Sequence, residues 1–439
     1  MTPEYLGLAM MAALLVSIFA GFPIAFTLIV LPFVFGYPVM GNRLFSLLVS
    51  NTLGVMNDTV LAAVPLFIFM GLVLERAALM ERLFLGFRRI MAPVPGCLYL
   101  SVLILCTLLA AATGIIGTSI TLMGLMAAPV MMKSNYDTRL SAGTITAGGC
   151  LGMLIPPSVM LVVMGPVVGV SVARLFAAAI IPGLILSGLY TGYTLVRCLL
   201  NPRLGPPVPL EERTGSWAHN LKEFSFGAVP LVILIAATLG AILTGLATPT
   251  EAAGMGSLAA MGLAAVYRRL SVGLVKEAVF RTIQTTSMVM FLIVASIFYG
   301  SVFTHLGTTG LIARSLLGLP ISPIFLFILM QVFIFLLGWP LEWPVIILIF
   351  CPMFLPIIKE LGYNLVWFSI VVAVNLQTAF LSPPVAMAAY YLRGVVPSWS
   401  LKDIYLGMVE FMVLQSVGLI VVICVPSTSL WLPGILFGR

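Results

Sequence analysis

Twice in this chain a long apolar run is cut by a hydroxyl residue and two adjacent prolines. Residues 147–158 read AGGCLGMLIPPS and residues 375–384 read NLQTAFLSPP, with breaks at Pro156-Pro157 and Pro383-Pro384. Upstream of each lies a second interrupted run, GIIGTSIT at 114–121 and LGWPLEW at 337–343. Apolar runs of about 20 residues recur around them, the length that spans a bilayer as helix. A helix that stops inside hydrocarbon leaves amides and carbonyls without water, so such breaks are tolerated where the freed backbone binds something. Matched breaks in two halves of one chain point to the central site of a secondary transporter.

Composition agrees with that class. The chain is 61% hydrophobic and 8% charged, against roughly 25% charge in soluble domains, which leaves no room for a sizeable water-soluble unit. The fold class is therefore an all-α polytopic membrane protein. The first 20 residues carry Glu4 and no basic residue and lead into another apolar span; they read as a retained helix, not a cleaved signal peptide. The cysteines at 97, 106, 150, 198, 351 and 424 form no C-x-x-C pair and read as small packing residues. His219 and His305 fall in linker or loop positions and offer no metal motif. The net charge of +7 reports membrane orientation, not a nucleic-acid partner.

The runs divide into two halves. Residues 1–199 form a first repeat: a scaffold at 1–75 with spans near 4–20, 22–40 and 57–75, and an amphipathic arm at 76–92. A re-entrant hairpin at 97–134, a broken helix at 139–169 and a span at 173–198 complete it. A polar, proline-rich linker covers 200–222. Residues 223–439 repeat the plan with spans at 223–245, 248–267 and 283–303, a hairpin at 321–357, a broken helix at 364–395 and a span at 403–425. Pro156 to Pro383 is 227 positions, Pro23 to Pro249 is 226 and Gly117 to Gly338 is 221. Elements in one order at nearly constant displacement indicate an internal duplication. Five crossings and one re-entrant hairpin per repeat would invert the second half. With the N-terminus outside, 16 of the 21 Lys and Arg residues fall on the inner side, as the positive-inside rule requires. The N-terminus is thus expected in the periplasm and the linker in the cytoplasm. The first hairpin then opens from the cytoplasm and the second from outside. The arm carries charges at 75, 76, 81, 82, 88 and 89 between apolar residues, which suits a helix lying along the inner leaflet.

A small hard cation such as Na⁺ takes oxygen ligands, and each half supplies them at its breaks. The first offers Thr118, Ser119, Thr121 and Ser158, with carbonyls near Gly149, Gly152, Leu154 and Pro156. The second offers Glu342, Asn375, Thr378 and Ser382, with carbonyls near Gly338 and Leu381. A proline has no N–H and leaves the carbonyl four residues earlier without its helical partner, so Pro156 and Pro383 free acceptors as well as bending the chain. Substrate is expected between the breaks at Ser119, Ser158, Glu342 and Ser382. Glu342 is an intramembrane carboxylate, a functional candidate by default; it could ligate a cation, carry a proton or bond the backbone of its own break. Glu251 is read differently, as the third residue of a capping box begun by Thr248 with Pro249 at the first helical position.

At these motifs the chain resembles the large membrane subunit, the M or DctM-type permease, of the tripartite ATP-independent periplasmic (TRAP) transporters. The residues that carry the likeness are GTSIT at 117–121, AGGCLGMLIPPS at 147–158, GLATPTEAAG at 245–254, LGWPLEWPVIIL at 337–348 and NLQTAFLSPPVAM at 375–387, nearly the whole chain. The resemblance implies a Na⁺-driven elevator-type symporter that imports organic acids across the bacterial inner membrane. It implies two partners, a periplasmic substrate-binding protein and a small four-helix membrane subunit, and no organic cofactor. It places the sodium sites in the Gly117–Thr121 and Gly149–Ser158 regions and in Gly338–Glu342 and Asn375–Pro383. The chain departs from the family pattern at Glu342, where many members carry aspartate, and in the bulk of Gly338-Trp339-Pro340. The alternative function is a transporter of the same architecture that needs no binding protein and couples to protons through Glu342. The absence of paired intramembrane acids or a metal cluster argues against an enzyme, and no filter-like sequence argues for a channel.

Overall fold

The structure, a computed structural model, describes residues 2–77, 79–113, 116–208, 217–383 and 385–438. Among them the chain is helical throughout, with no strand. The first half runs α1 (Pro3–Phe19), α2 (Ile24–Met40), α3 (Arg43–Asn57), α4 (Ala63–Arg76), α5 (Leu79–Ile90), α6 (Cys97–Thr113), α7 (Ile116–Lys133), α8 (Thr138–Cys150), α9 (Val159–Val168) and α10 (Val172–Leu200). The second runs α11 (Trp217–Leu243), α12 (Pro249–Val266), α13 (Val272–His305), α14 (Thr308–Leu317), α15 (Pro323–Leu337), α16 (Trp343–Val345) and α17 (Cys351–Glu360). It ends with α18 (Leu365–Leu381), α19 (Met387–Val395), α20 (Leu401–Cys424) and α21 (Ser427–Phe437). Six helices among the described residues are long and apolar enough to cross a membrane, and shorter apolar helices accompany them.

Side-chain caps set many of the starts. Asp137, Ser171, Thr248, Ser271, Asn364 and Ser400 each accept a hydrogen bond from an amide of the first turn, filling a donor that the helix cannot. The capping box at Thr248 is complete: Thr248 Oγ1 accepts from the Glu251 amide at 3.3 Å, and the Glu251 carboxylate accepts from the Thr248 amide at 2.8 Å.

Three helices lie where no span was expected. Helices α3, α14 and α21 have 15, 10 and 11 residues, too short to meet a criterion of bilayer length. Helix α13 is a single helix of 34 residues where the sequence suggested only 283–303, because its polar opening turns continue beyond the apolar part. Helix α11 begins at Trp217, inside the expected linker; residues 209–216 of that linker lie outside the described residues. The linker's first residues are tied down instead of trailing: Gly96 N donates to Gly205 O at 2.8 Å, Val208 N to Ala92 O at 3.0 Å, and Tyr99 Oη to Leu204 O at 2.8 Å. The arm appears as α5. It packs against α11, where Gly86 lies so close to Phe224 that an added Cβ would come within 3.2 Å of that residue's backbone.

The helices sort into two bodies. A frame of uninterrupted helices comprises α1–α5 and α11–α14, with α4 packed on α12 and α2 on α13. A core comprises α6–α10 and α15–α21, organised around α8 against α20 and α18 against α15, α20 and α10. All four breaks belong to the core. Ion pairs hold each body together: Arg76 to Glu277 at 2.5 Å and Arg314 to Glu4 at 2.8 Å in the frame, Arg139 to Asp403 at 3.1 Å and Arg197 to Glu410 at 3.3 Å in the core.

Candidate functional site

The first broken helix stops at Cys150 and continues as one 3₁₀ turn, Leu151–Met153. The Pro156-Pro157 peptide is cis, and α9 starts at Val159. Pro157 has no N–H for the carbonyl of Met153, four residues earlier. The Ser158 hydroxyl takes that place and donates to Met153 O. Donation uses the hydroxyl proton and leaves the lone pairs of Ser158 available. Gly149 is required for a different reason: a Cβ there would stand 3.2 Å from the Ile120 amide nitrogen, so the glycine lets α7 approach the end of α8. Gly152, Leu154 and Pro156 are buried in the turn itself.

The second break follows the same rule. Pro383 leaves the Ala379 carbonyl without its helical donor, and Ser382 Oγ donates to Ala379 O at 3.5 Å while accepting from Trp339 Nε1 at 3.0 Å. Leu381 closes α18, and Ala386, at φ 41°, begins the return into α19. Pro384 lies outside the described residues. One turn and more upstream, Thr378 Oγ1 donates to Asn375 O at 2.5 Å, and Asn375 Nδ2 donates to Gln331 O at 2.7 Å and to Gln331 Oε1 at 3.0 Å. The spacing of Asn375, Thr378 and Ser382 puts them on one stripe of α18 facing α15 and the turn after it.

The hairpin tips are less alike. Gly114 and Ile115 lie outside the described residues, and Gly117, Thr118, Ser119 and Thr121 already sit in the first turns of α7, with Ser119 buried and the other three half-buried. In the second hairpin Gly338–Glu342 is a true turn between α15 and α16. Gly338 abuts the Ala379 methyl, and a π-turn over Ile346–Phe350 follows Val345. Glu342 precedes α16 in an extended conformation, and its carboxylate makes no capping bond to the helix it precedes.

All four breaks reach one cavity. It has a volume of about 140 Å³ and is lined by Ile116 and Gly117 from the first tip, Met153 and Val159 from the first broken helix, Glu342 and Trp343 from the second tip, and Phe380 and Met387 from the second broken helix. The frame closes it with Ile68 of α4 and Thr285, Met288 and Val289 of α13. Of the four residues expected to bracket the substrate, Glu342 lines the cavity, while Ser119, Ser158 and Ser382 lie within two residues of ones that do. The cavity therefore lies on the seam between frame and core. Among the described residues of α4 and α13, the frame helices that line the cavity, no side-chain hydrogen bond or ion pair reaches the core; Phe67 of α4 meets Phe176 of α10 there with ring centroids 6.4 Å apart.

Several polar residues of the core, and Thr285 of the frame, escaped the sequence reading. Gln415 of α20 accepts from Tyr190 Oη and donates to Gln377 Oε1 at 2.8 Å and Val374 O at 3.1 Å. Gln331 holds Asn375. Tyr391, from α19, and Thr285 line the cavity. A signal was present for two of them: Gln331 and Gln415 are lone amides in apolar runs, and a polar group in hydrocarbon needs a partner. Among the described residues no group of His, Cys, Asp and Glu is placed to hold a metal ion.

Comparison with known proteins adds an independent line. The family described as "Tripartite ATP-independent periplasmic transporter, DctM component" matches residues 10–428. The C4-dicarboxylate TRAP transporter large permease protein DctM of Pseudomonas aeruginosa is 28% identical, covering 85% of this chain and 86% of its own. The sialic acid TRAP transporter large permease protein SiaM of Vibrio cholerae is also 28% identical, covering 96% and 97%. Among solved structures the Alcanivorax borkumensis YdaH transporter shares the fold, with a TM-score of 0.59 at 18% identity over 91% of this chain and 90% of that one.

Proposed function

The chain belongs to the DctM family, the large permease component of tripartite ATP-independent periplasmic transporters, and from that premise we propose that it imports carboxylates by Na⁺ symport with an elevator movement of the core against the frame. Membership makes it a multi-pass membrane transport subunit, not an enzyme. The observation that carries the movement is the seam. A cavity fed by all four breaks lies on a boundary that no side-chain hydrogen bond or ion pair of α4 or α13 crosses among the described residues, while each body is fastened within itself. Sliding along an apolar boundary breaks no polar bond that hydrocarbon would leave unsatisfied.

Three further features support the reading. The relatives named above carry a C4-dicarboxylate and sialic acid, both carboxylates. The hydroxyls of Ser158 and Ser382 donate to carbonyls left free by proline and keep lone pairs, as oxygen ligands of a hard cation need. Inverted duplication accords with the reciprocal packing of α4 on α12 and α2 on α13. The N-terminus is assigned to the periplasm and the linker to the cytoplasm. The partners are a periplasmic binding protein and a small four-helix membrane subunit, in the inner membrane.

Uptake of carboxylates into proteoliposomes, with the binding protein and small subunit present, tests this under imposed Na⁺ or pH gradients. Accumulation driven by sodium is expected. Uptake driven by pH alone, or unaffected by omitting the binding protein, would favour the proton-coupled alternative. Ser158→Ala and Ser382→Ala should each raise the sodium concentration for half-maximal uptake by about 10-fold, a larger change than the loss of thermal stability from the carbonyl each strands. Unchanged sodium affinity in both variants would remove them as ligands.

A further inference from the structure

Away from the breaks, a cavity of about 650 Å³ lies between α21 and the first turns of α10 and α18. Four side chains able to donate hydrogen bonds line it, Arg174, Asn364, Ser427 and Trp431. No described Asp or Glu does. Among the described residues the Arg174 guanidinium, the Ser427 hydroxyl and the Trp431 indole N–H have no hydrogen-bond partner, and Arg174 has no ion pair. Asn364 is held in one orientation: its Oδ1 accepts from the amides of Val366 at 2.8 Å and Trp367 at 3.4 Å, which leaves its Nδ2 to donate elsewhere. The position of Arg174 in the chain adds a second argument. It stands at the outer end of α10, on the side assigned to the periplasm, where the positive-inside rule disfavours basic residues. Arg314, on the same side, pairs with Glu4 at 2.8 Å; Arg174 has no acid to answer its charge.

We propose that this cavity holds the headgroup of an anionic phospholipid of the outer leaflet, with the phosphate on Arg174 and Asn364 and the chains along α21. The charge follows from the lining. A guanidinium matches a phosphate in charge and in the geometry of its paired donors, while the ammonium of a zwitterionic headgroup would find no counter-charge. The lipid source follows from the rest of the wall. Val366, Leu430, Pro433 and Ile435 offer a free phosphate nothing, but they gain by covering the glycerol backbone and first methylenes of a lipid. Helix α21 has 11 residues and no charged one, too short to span a bilayer, and it exposes Trp431 at 59% and Ile435 at 61%. A short apolar helix with an exposed tryptophan, set at the ends of longer apolar helices, suits the level of the headgroups. Phosphatidylglycerol, whose phosphate is its only charge, meets each of these conditions. The three helices all belong to the core, so the lipid would be a fixture of that body and not a filler of the seam. The inference goes beyond the symport reading and stands without it.

The test is lipid retention by the permease, purified in detergent with its small membrane subunit and stripped of lipid, read by native mass spectrometry and by thermal shift. The probes are phosphatidylglycerol, phosphatidylcholine and inorganic phosphate at equal concentration. Phosphatidylglycerol should stay bound as discrete adducts and raise the melting temperature; the other two should do neither. Arg174→Gln should weaken phosphatidylglycerol binding about 10-fold or more, Trp431→Ala should weaken it less, and Arg174→Lys, which keeps the charge, should recover part of it. Since Arg174 bonds to no described residue through its side chain, Arg174→Gln without lipid should melt with the wild type, which separates a lost contact from lost folding. Phosphatidylglycerol retained equally by the wild type, Arg174→Gln and Trp431→Ala would overturn the site. Equal retention of phosphatidylcholine would overturn the anionic class. Protection by inorganic phosphate alone would overturn the lipid source.

Discussion

The frame and the core are made of the same apolar sequence but hold themselves together differently. No frame helix is interrupted by a proline pair; α13 runs unbroken for 34 residues. The frame is fastened by a few bonds between neighbours: Arg76 to Glu277, Arg314 to Glu4, and Asn51 Nδ2 to Ser301 Oγ at 3.1 Å. The core contains every break and compensates in its interior, with Ser158 and Ser382 on the orphaned carbonyls and Gln415 tying Tyr190 to Gln377. The difference teaches that broken helices need an internal polar skeleton, whereas continuous helices need only a few bonds between neighbours.

The comparison can be broken most directly at the seam. In a background with Cys424, the one exposed cysteine, replaced by serine, a bis-maleimide link between Phe67→Cys and Phe176→Cys should arrest uptake. A link within the core between Thr107→Cys and Ser187→Cys, whose native hydroxyls are 2.7 Å apart, should leave it intact. Equal loss from both links would deny that the bodies move separately. Next in size, Gly143→Leu should cost about 3 kcal/mol or more, because a Cβ there would lie 2.5 Å from Gly407 O at the α8–α20 crossing. At the seam, Gly300→Ala meets only Leu348 O at 3.5 Å and should unfold at the wild-type temperature in detergent. Equal destabilisation would mean the seam is packed as tightly as the core.

Gln415→Leu should cost about 2 kcal/mol, since it strands Tyr190 and Gln377 together; urea or thermal unfolding reads this, and a neutral result would mean the core does not depend on its polar skeleton. The smallest effect is expected in the frame. Glu251→Ala removes half of the capping box on α12 and should lower the melting temperature slightly, with normal sodium dependence. A change in sodium affinity would move Glu251 out of the structural role its geometry supports.

Much of the core was legible before any coordinates. Prolines announce their own effect, since a missing N–H acts on a carbonyl at a known distance along the chain, and both serines sit beside the carbonyls so freed. The capping box at Thr248 was equally local. What escaped depends on partners distant in sequence. Gln331 meets Asn375 across 44 positions and Gln415 meets Tyr190 across 225, and nothing in either neighbourhood specifies the other. Tyr391 and Thr285 look like ordinary helix residues until two bodies bring them to one cavity.

The sequence by itself determined that the chain lives in a membrane, where its helices break and which hydroxyls stand at the breaks. These are consequences of backbone chemistry within a few residues. Only the tertiary structure decided that the four breaks share a cavity, that α4 and α13 close it without a described side-chain bond to the core, and that residues lining it come from helices on both sides. The physical reason is that satisfaction of a buried polar group depends on which helix packs beside it, and packing partners are chosen by the whole fold.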